Sequence, residues 1–64
     1  MFEVEDCICT WENGLCVGVE NDEIFDGRVF FQKKDILDES DLNHEGDEGT
    51  LVISDRTARK RGWV

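Results

Sequence analysis

The alternation of apolar and polar residues is clearest over residues 2–20 and is interrupted at Asn13-Gly14. That dipeptide between two alternating runs predicts a β-hairpin, because both central positions of a type I′ turn need positive φ. With Asn13 and Gly14 as the loop, Glu12 opposes Leu15, Trp11 opposes Cys16, Thr10 opposes Val17 and Ile8 opposes Val19. One face of the pair then gathers Phe2, Val4, Ile8, Thr10, Leu15, Val17 and Val19, and this face is the expected core. The other gathers Glu3, Glu5, Cys7, Cys9, Trp11, Cys16, Gly18 and Glu20. It is polar at its open end and apolar near the turn. A slip of one residue would exchange the two faces.

Further along, residues 20–27 read as an acidic loop ending in a turn, and residues 28–33 as a third strand with Phe30 and Phe31 on opposite faces. Residues 34–49 are polar, anchored by Ile36, Leu37 and Leu42, with a helical turn expected near 35–37. Residues 50–54 read as a fourth strand. Ser54 or Asp55 can cap a short helix running to Arg61 and stopped by Gly62; a fifth strand through Trp63 and Val64 is the competing reading. The chain is therefore expected to be one mostly β domain over residues 1–64, a small five-stranded barrel of the oligonucleotide-binding (OB-like) or SH3-like kind with a short C-terminal helical turn. Closing the sheet removes exposed edges.

Charge changes the picture most. Sixteen acids face seven bases, for a net charge of −9. Only Asp55 among the acids follows residue 54, whereas Arg28, Lys33 and Lys34 are the only cations before it. Such a surface repels phosphate backbones and attracts cationic protein surfaces. The odd set of three cysteines and the acidic, non-hydrophobic opening residues point to a reducing, cytoplasmic setting without a secretory leader. No apolar run is long enough for a membrane helix.

Three stretches resemble the cold-shock domain, a five-stranded OB barrel. They are Glu12-Asn13-Gly14-Leu15-Cys16-Val17-Gly18-Val19, then Asp26-Gly27-Arg28-Val29-Phe30-Phe31-Gln32-Lys33-Lys34-Asp35-Ile36, and Leu42 followed by Gly46-Asp47 and Leu51-Val52-Ile53. Their order and spacing are similar to the family's two ribonucleoprotein motifs and to the glycine-aspartate turn before its fourth strand. The resemblance implies a sheet face that stacks bases of single-stranded RNA or DNA. The chain departs from the family in carrying Leu15, Val17 and Val19 in place of aromatics in the first motif, and Gln32 where histidine is usual in the second.

Candidate chemistry is sparse. Cys7, Cys9 and Cys16 share a face in the hairpin register above, and His44 could complete a zinc site, but the spacing lacks paired Cys-x-x-Cys units and packed thiols are the expectation. The stretch from Asp41 to Gly46 imitates half of a calcium loop, yet Val52 stands where a bidentate Glu is required. No nucleophile, base and oxyanion set assembles, so neither enzyme activity nor a cofactor is expected.

The function expected from charge is a non-enzymatic acidic interaction module, an inhibitor or nucleic-acid mimic engaging a basic protein surface. Its contacts would be Trp11, Asp22, Glu23, Asp26, Phe30, Asp38, Glu39, Asp41, Glu45, Asp47 and Glu48. The tail cations Arg56, Arg59, Lys60 and Arg61 are expected to fold onto the chain's own acids or to grip an acidic groove on the partner. The alternative is a cold-shock-like single-strand binder using Trp11, Phe30, Phe31 and that tail.

Overall fold

A computed structural model of the chain describes residues 1–21, 23, 25 and 27–64. Four strands, β1 (Phe2–Glu12), β2 (Cys16–Glu20), β3 (Val29–Gln32) and β4 (Glu48–Ile53), form one antiparallel sheet in the order β3-β2-β1-β4. A 3-10 turn, Lys33–Asp35, leads from β3 to the far edge of β4, where Ile36 bridges Ile53 and the amides of Leu37 and Asp41 donate to Val52 and Thr50. The free edge of β4 is thereby partly occupied. Among the described residues the sheet has four strands, one fewer than the five expected.

The long strand β1 is broken by two irregularities, and they overturn the expected faces. Between Val4 and Cys7 the register shifts around Asp6, whose φ of 58° is the left-handed conformation that Asp tolerates better than most residues. A second shift falls between Cys9 and Trp11. Each extra residue turns the following side chains to the other face. Val4, Cys7 and Cys9 therefore point inward, while Ile8, placed in the core by simple alternation, is 38% exposed.

The hairpin differs as well. Glu12 pairs with Val17 and Trp11 with Gly18, so four residues form the connection. Neither Asn13 nor Gly14 has positive φ. Instead Asn13 Oδ1 accepts from the amides of Leu15 and Cys16 at 2.8 and 2.7 Å, an Asx-type turn that supplies by side chain what a type I′ turn supplies by backbone. Leu15 is left at the tip, 77% exposed.

The core lies under the inner face of the sheet, where Val4, Cys7, Cys9, Val17, Val19, Phe31, Leu51 and Ile53 meet Phe25, Leu42 and Ala58. The helix α1 (Asp55–Lys60) starts as the sequence indicates: Ser54 Oγ accepts from the Thr57 amide at 3.2 Å. It ends in a Schellman arrangement, with Gly62 at φ 79° and the Gly62 and Trp63 amides donating to Arg59 and Ala58. That reversal sends Trp63 back to the core instead of into a fifth strand. Its ring centroid lies 4.9 Å from that of Phe25, 5.9 Å from that of Phe31 and 6.0 Å from that of Phe2. Among the described residues no helix is long and apolar enough to cross a membrane.

Candidate functional site

The outer face of β1, β2 and β3 carries an aromatic pair built across three strands. Trp11 on β1 stands opposite Gly18 on β2, and Gly18 stands opposite Phe30 on β3. Gly18 has no side chain, so the rings meet over it edge to face, with centroids 5.4 Å apart at 85°. A Cβ at Gly18 would approach Trp11 Cβ and Phe30 Cε1 to 3.1 Å and Arg28 Cδ to 2.8 Å. Trp11 is 36% and Phe30 49% exposed, so both rings present a face to solvent. The next residue, Phe31, is 1% exposed and belongs to the core, so it is not part of this surface.

Charge around the pair is locally balanced. Glu12 is held by Lys33 Nζ at 2.7 Å, and Glu20 by Arg28 Nε at 3.5 Å and by the Thr10 hydroxyl at 2.7 Å. On the outer face of β3 the exposed side chains are Phe30 and Gln32, with the exposed cations Arg28 just before the strand and Lys34 in the 3-10 turn after it. The Arg61 side chain donates to the Phe30 carbonyl oxygen, and its guanidinium sits 4.6 Å from the Phe31 ring centroid. The tail thus closes on backbone and aromatic rings. Arg56, Arg59 and Lys60 form no ion pair with the chain's own carboxylates among the described residues, contrary to one of the two roles expected of them.

The acids anticipated as partner contacts do not converge on Trp11 and Phe30. Asp38, Glu39, Glu45 and Glu48 are exposed on the long 36–48 connection and the start of β4. Asp41 and Asp47 work locally. Asp41 Oδ2 accepts from the Thr50 amide at 3.0 Å, and Asp47 Oδ2 from the Asn43 and His44 amides at 2.9 and 2.8 Å. Those two amides hold the Asp47 carboxyl below the usual carboxylate range. Glu23 is exposed and lines a different patch with Glu3, Glu5 and Asp6, around the buried Asn21 that bonds the Glu5 carbonyl oxygen. Asp22 and Asp26 lie outside the described residues.

The three thiols do not form the candidate site either. Cys7 and Cys9 face the core and Cys16 the outer side of β2, because the bulges in β1 move the first two but not the third. Burial pushes the Cys7 and Cys9 thiols up, and their sulfurs donate to the Val4 and Trp11 carbonyl oxygens. His44 stands apart, exposed beside Asp47 at 3.9 Å. Among the described residues no three potential metal ligands cluster.

Sequence reasoning named Trp11 and Phe30 and placed Gly18 on the Trp11 face, but did not set Gly18 between the two rings or bring in Arg28 and Lys34. Setting Gly18 between the rings required the true register. No family model, curated protein or solved structure matches the chain.

Proposed function

We propose that this protein binds single-stranded nucleic acid on the outer sheet face, stacking bases on Trp11 and Phe30. The observation that carries the reading is the ring pair itself. Two adjacent, exposed aromatics span three strands over a glycine, and the acids beside them are already neutralised by Lys33 and Arg28. Every base has a π-face, so such a platform is tolerant of sequence, and each stacked base contributes about 1–3 kcal/mol. The cold-shock-like resemblance and an OB-like curl of the sheet belong to the same proposal; the passage of chain from β3 to the far edge of β4 supports that curl.

Net charge argues the other way at long range. Counted along β1, Asp6 is up to about 16 Å from Trp11 at strand rise, roughly two Debye lengths at physiological salt. The Glu3, Glu5 and Asp6 patch is therefore largely screened from a strand on the rings, while Glu45, Asp47 and Glu48, on the segment paired with Ile8 and Cys9, lie nearer. At low ionic strength that screening fails and the distant acids repel the ligand. The affinity should accordingly fall less steeply with salt than the counterion-release slope of an ordinary basic binder.

Anisotropy titration of a fluorescent pyrimidine oligonucleotide tests the reading. Replacing both Trp11 and Phe30 with alanine removes two stacked bases and should weaken binding by roughly 1.5 to 4 orders of magnitude while urea unfolding stays cooperative. Equal affinity of the double variant and the wild type would defeat it.

An acidic interaction module is the second reading, here centred on the patch lined by Glu3, Glu5, Asp6 and Glu23, of which only Glu23 belongs to the contact set expected from the sequence. A basic partner bound there should be released by charge reversal at Glu3 and Glu5 and be indifferent to Phe30.

A further inference from the structure

Four of the seven cations of this acidic chain line one concavity, a second feature beyond the aromatic pair. Between the 3-10 turn and α1 lies a cleft of about 400 Å³ lined by Lys34, Arg56, Lys60 and Arg61, with Asp35 as the one carboxylate in its wall. Lys34, Arg56 and Lys60 make no ion pair or side-chain hydrogen bond among the described residues. With sixteen acids available in the sequence, three unpaired cations around one concavity are the reverse of what charge neutralisation alone would arrange. Excess positive potential inside a cleft draws an anion.

The cleft also reaches the edge of β3 that carries Phe30. Arg61, one of its walls, donates to the carbonyl oxygen of Phe30, while its guanidinium lies over the inward-facing Phe31 ring. Lys34, another wall, follows Phe30 by four residues, at most about 13 Å of extended chain. A strand whose bases lie on Trp11 and Phe30 can pass its backbone along Gln32 into this concavity.

We propose that the cleft is a phosphate-binding subsite, receiving the sugar–phosphate backbone of the strand that stacks on the rings. This inference rests on the function proposed above. Lys and Arg side chains bind phosphate oxygens through charge-assisted hydrogen bonds, and Arg does so in bidentate fashion. Each phosphate neutralised on a single strand adds about 0.7 to the slope of log affinity against log salt.

The test compares the intact chain with the Arg56→Gln, Lys60→Gln double variant. Both residues are exposed, so the variant should keep the wild-type urea midpoint. Oligonucleotide anisotropy across roughly 50–200 mM salt should give a slope shallower by about 1.4 for two lost phosphate contacts, with quenching of Trp11 fluorescence at saturation unchanged. A variant with the wild-type slope and affinity overturns the subsite and leaves the stacking surface standing. A parallel NMR titration with inorganic tripolyphosphate separates the two ideas. Amide shifts centred on Arg56, Thr57 and Lys60, without any oligonucleotide binding, would keep the phosphate subsite and remove the platform. Absence of shifts there in both titrations removes the subsite.

Discussion

Phe30 and Phe31 are neighbours in sequence and opposites in role, and truncating each to alanine separates platform from core. Phe31 is 1% exposed, within contact of Phe25, Trp63 and the Arg61 guanidinium. Removing a buried phenylalanine ring costs about 3–5 kcal/mol, transfer and cavity included. A domain of 64 residues has a total stability of roughly 3–10 kcal/mol. Phe31→Ala should therefore remove about a third or more of that stability and lower the urea midpoint in proportion. Phe30 is half exposed and, among the described residues, its one aromatic partner is Trp11. Losing that edge-to-face pair costs about 0.5–1.5 kcal/mol, which corresponds to a fall in Tm of roughly 2–12 °C. Phe30→Ala should stay folded but lose about 5- to 150-fold in affinity for a single-stranded oligonucleotide, the loss of one stacked base. Urea denaturation followed by far-UV circular dichroism gives the first quantity and anisotropy the second. Equal destabilisation by the two substitutions, or full binding by Phe30→Ala, would refute the assignment of the two rings to opposite faces with different tasks.

Gly18→Ala should also damage binding more than folding, since the added methyl meets Trp11 Cβ, Phe30 Cε1 and Arg28 Cδ on the outer face. The gain of about 0.5–1 kcal/mol from replacing a strand glycine offsets part of the disturbed ring contact, so Tm should move by a few degrees and affinity several-fold. A thiol reagent at neutral pH should modify Cys16 first in the folded chain, with Cys7 and Cys9 reacting only on unfolding; fast labelling of all three by mass spectrometry would contradict their burial. The lowered Asp47 pKa sets an acid dependence: its contribution is complete above the ordinary carboxylate range and is lost as pH falls through the folded value. Asp47→Asn should therefore show a flatter decline of urea midpoint on acidification than the wild type, and parallel curves would remove the proposed tie to the Asn43 and His44 amides.

Much of the element order was legible in the sequence because turn and cap chemistry is local. Ser54 and Gly62 bracket α1, and the opposed side chains of Phe30 and Phe31 follow from strand alternation alone. The face assignment of β1 was not legible. It depends on two one-residue irregularities, one of them held by Asp6 in a left-handed conformation that nothing in a period-two pattern announces. The hairpin followed the same course: Asn13 signals a turn correctly, but its side chain bonds Leu15 and Cys16 and lengthens the loop, moving Trp11 opposite Gly18. That shift assembles the candidate site. Net charge left the placement of the cations open for a related reason, since a sum over the chain carries no information about where Lys34, Arg56, Lys60 and Arg61 meet.

The most direct test of single-strand stacking uses Trp11 as its own reporter in a Trp63→Phe background, where it is the one remaining tryptophan. Adding single-stranded oligonucleotide at physiological salt should quench its fluorescence saturably, and an equal concentration of the corresponding duplex should not. An emission spectrum unchanged by the single strand at every salt concentration, in a protein shown to be folded, would contradict the account.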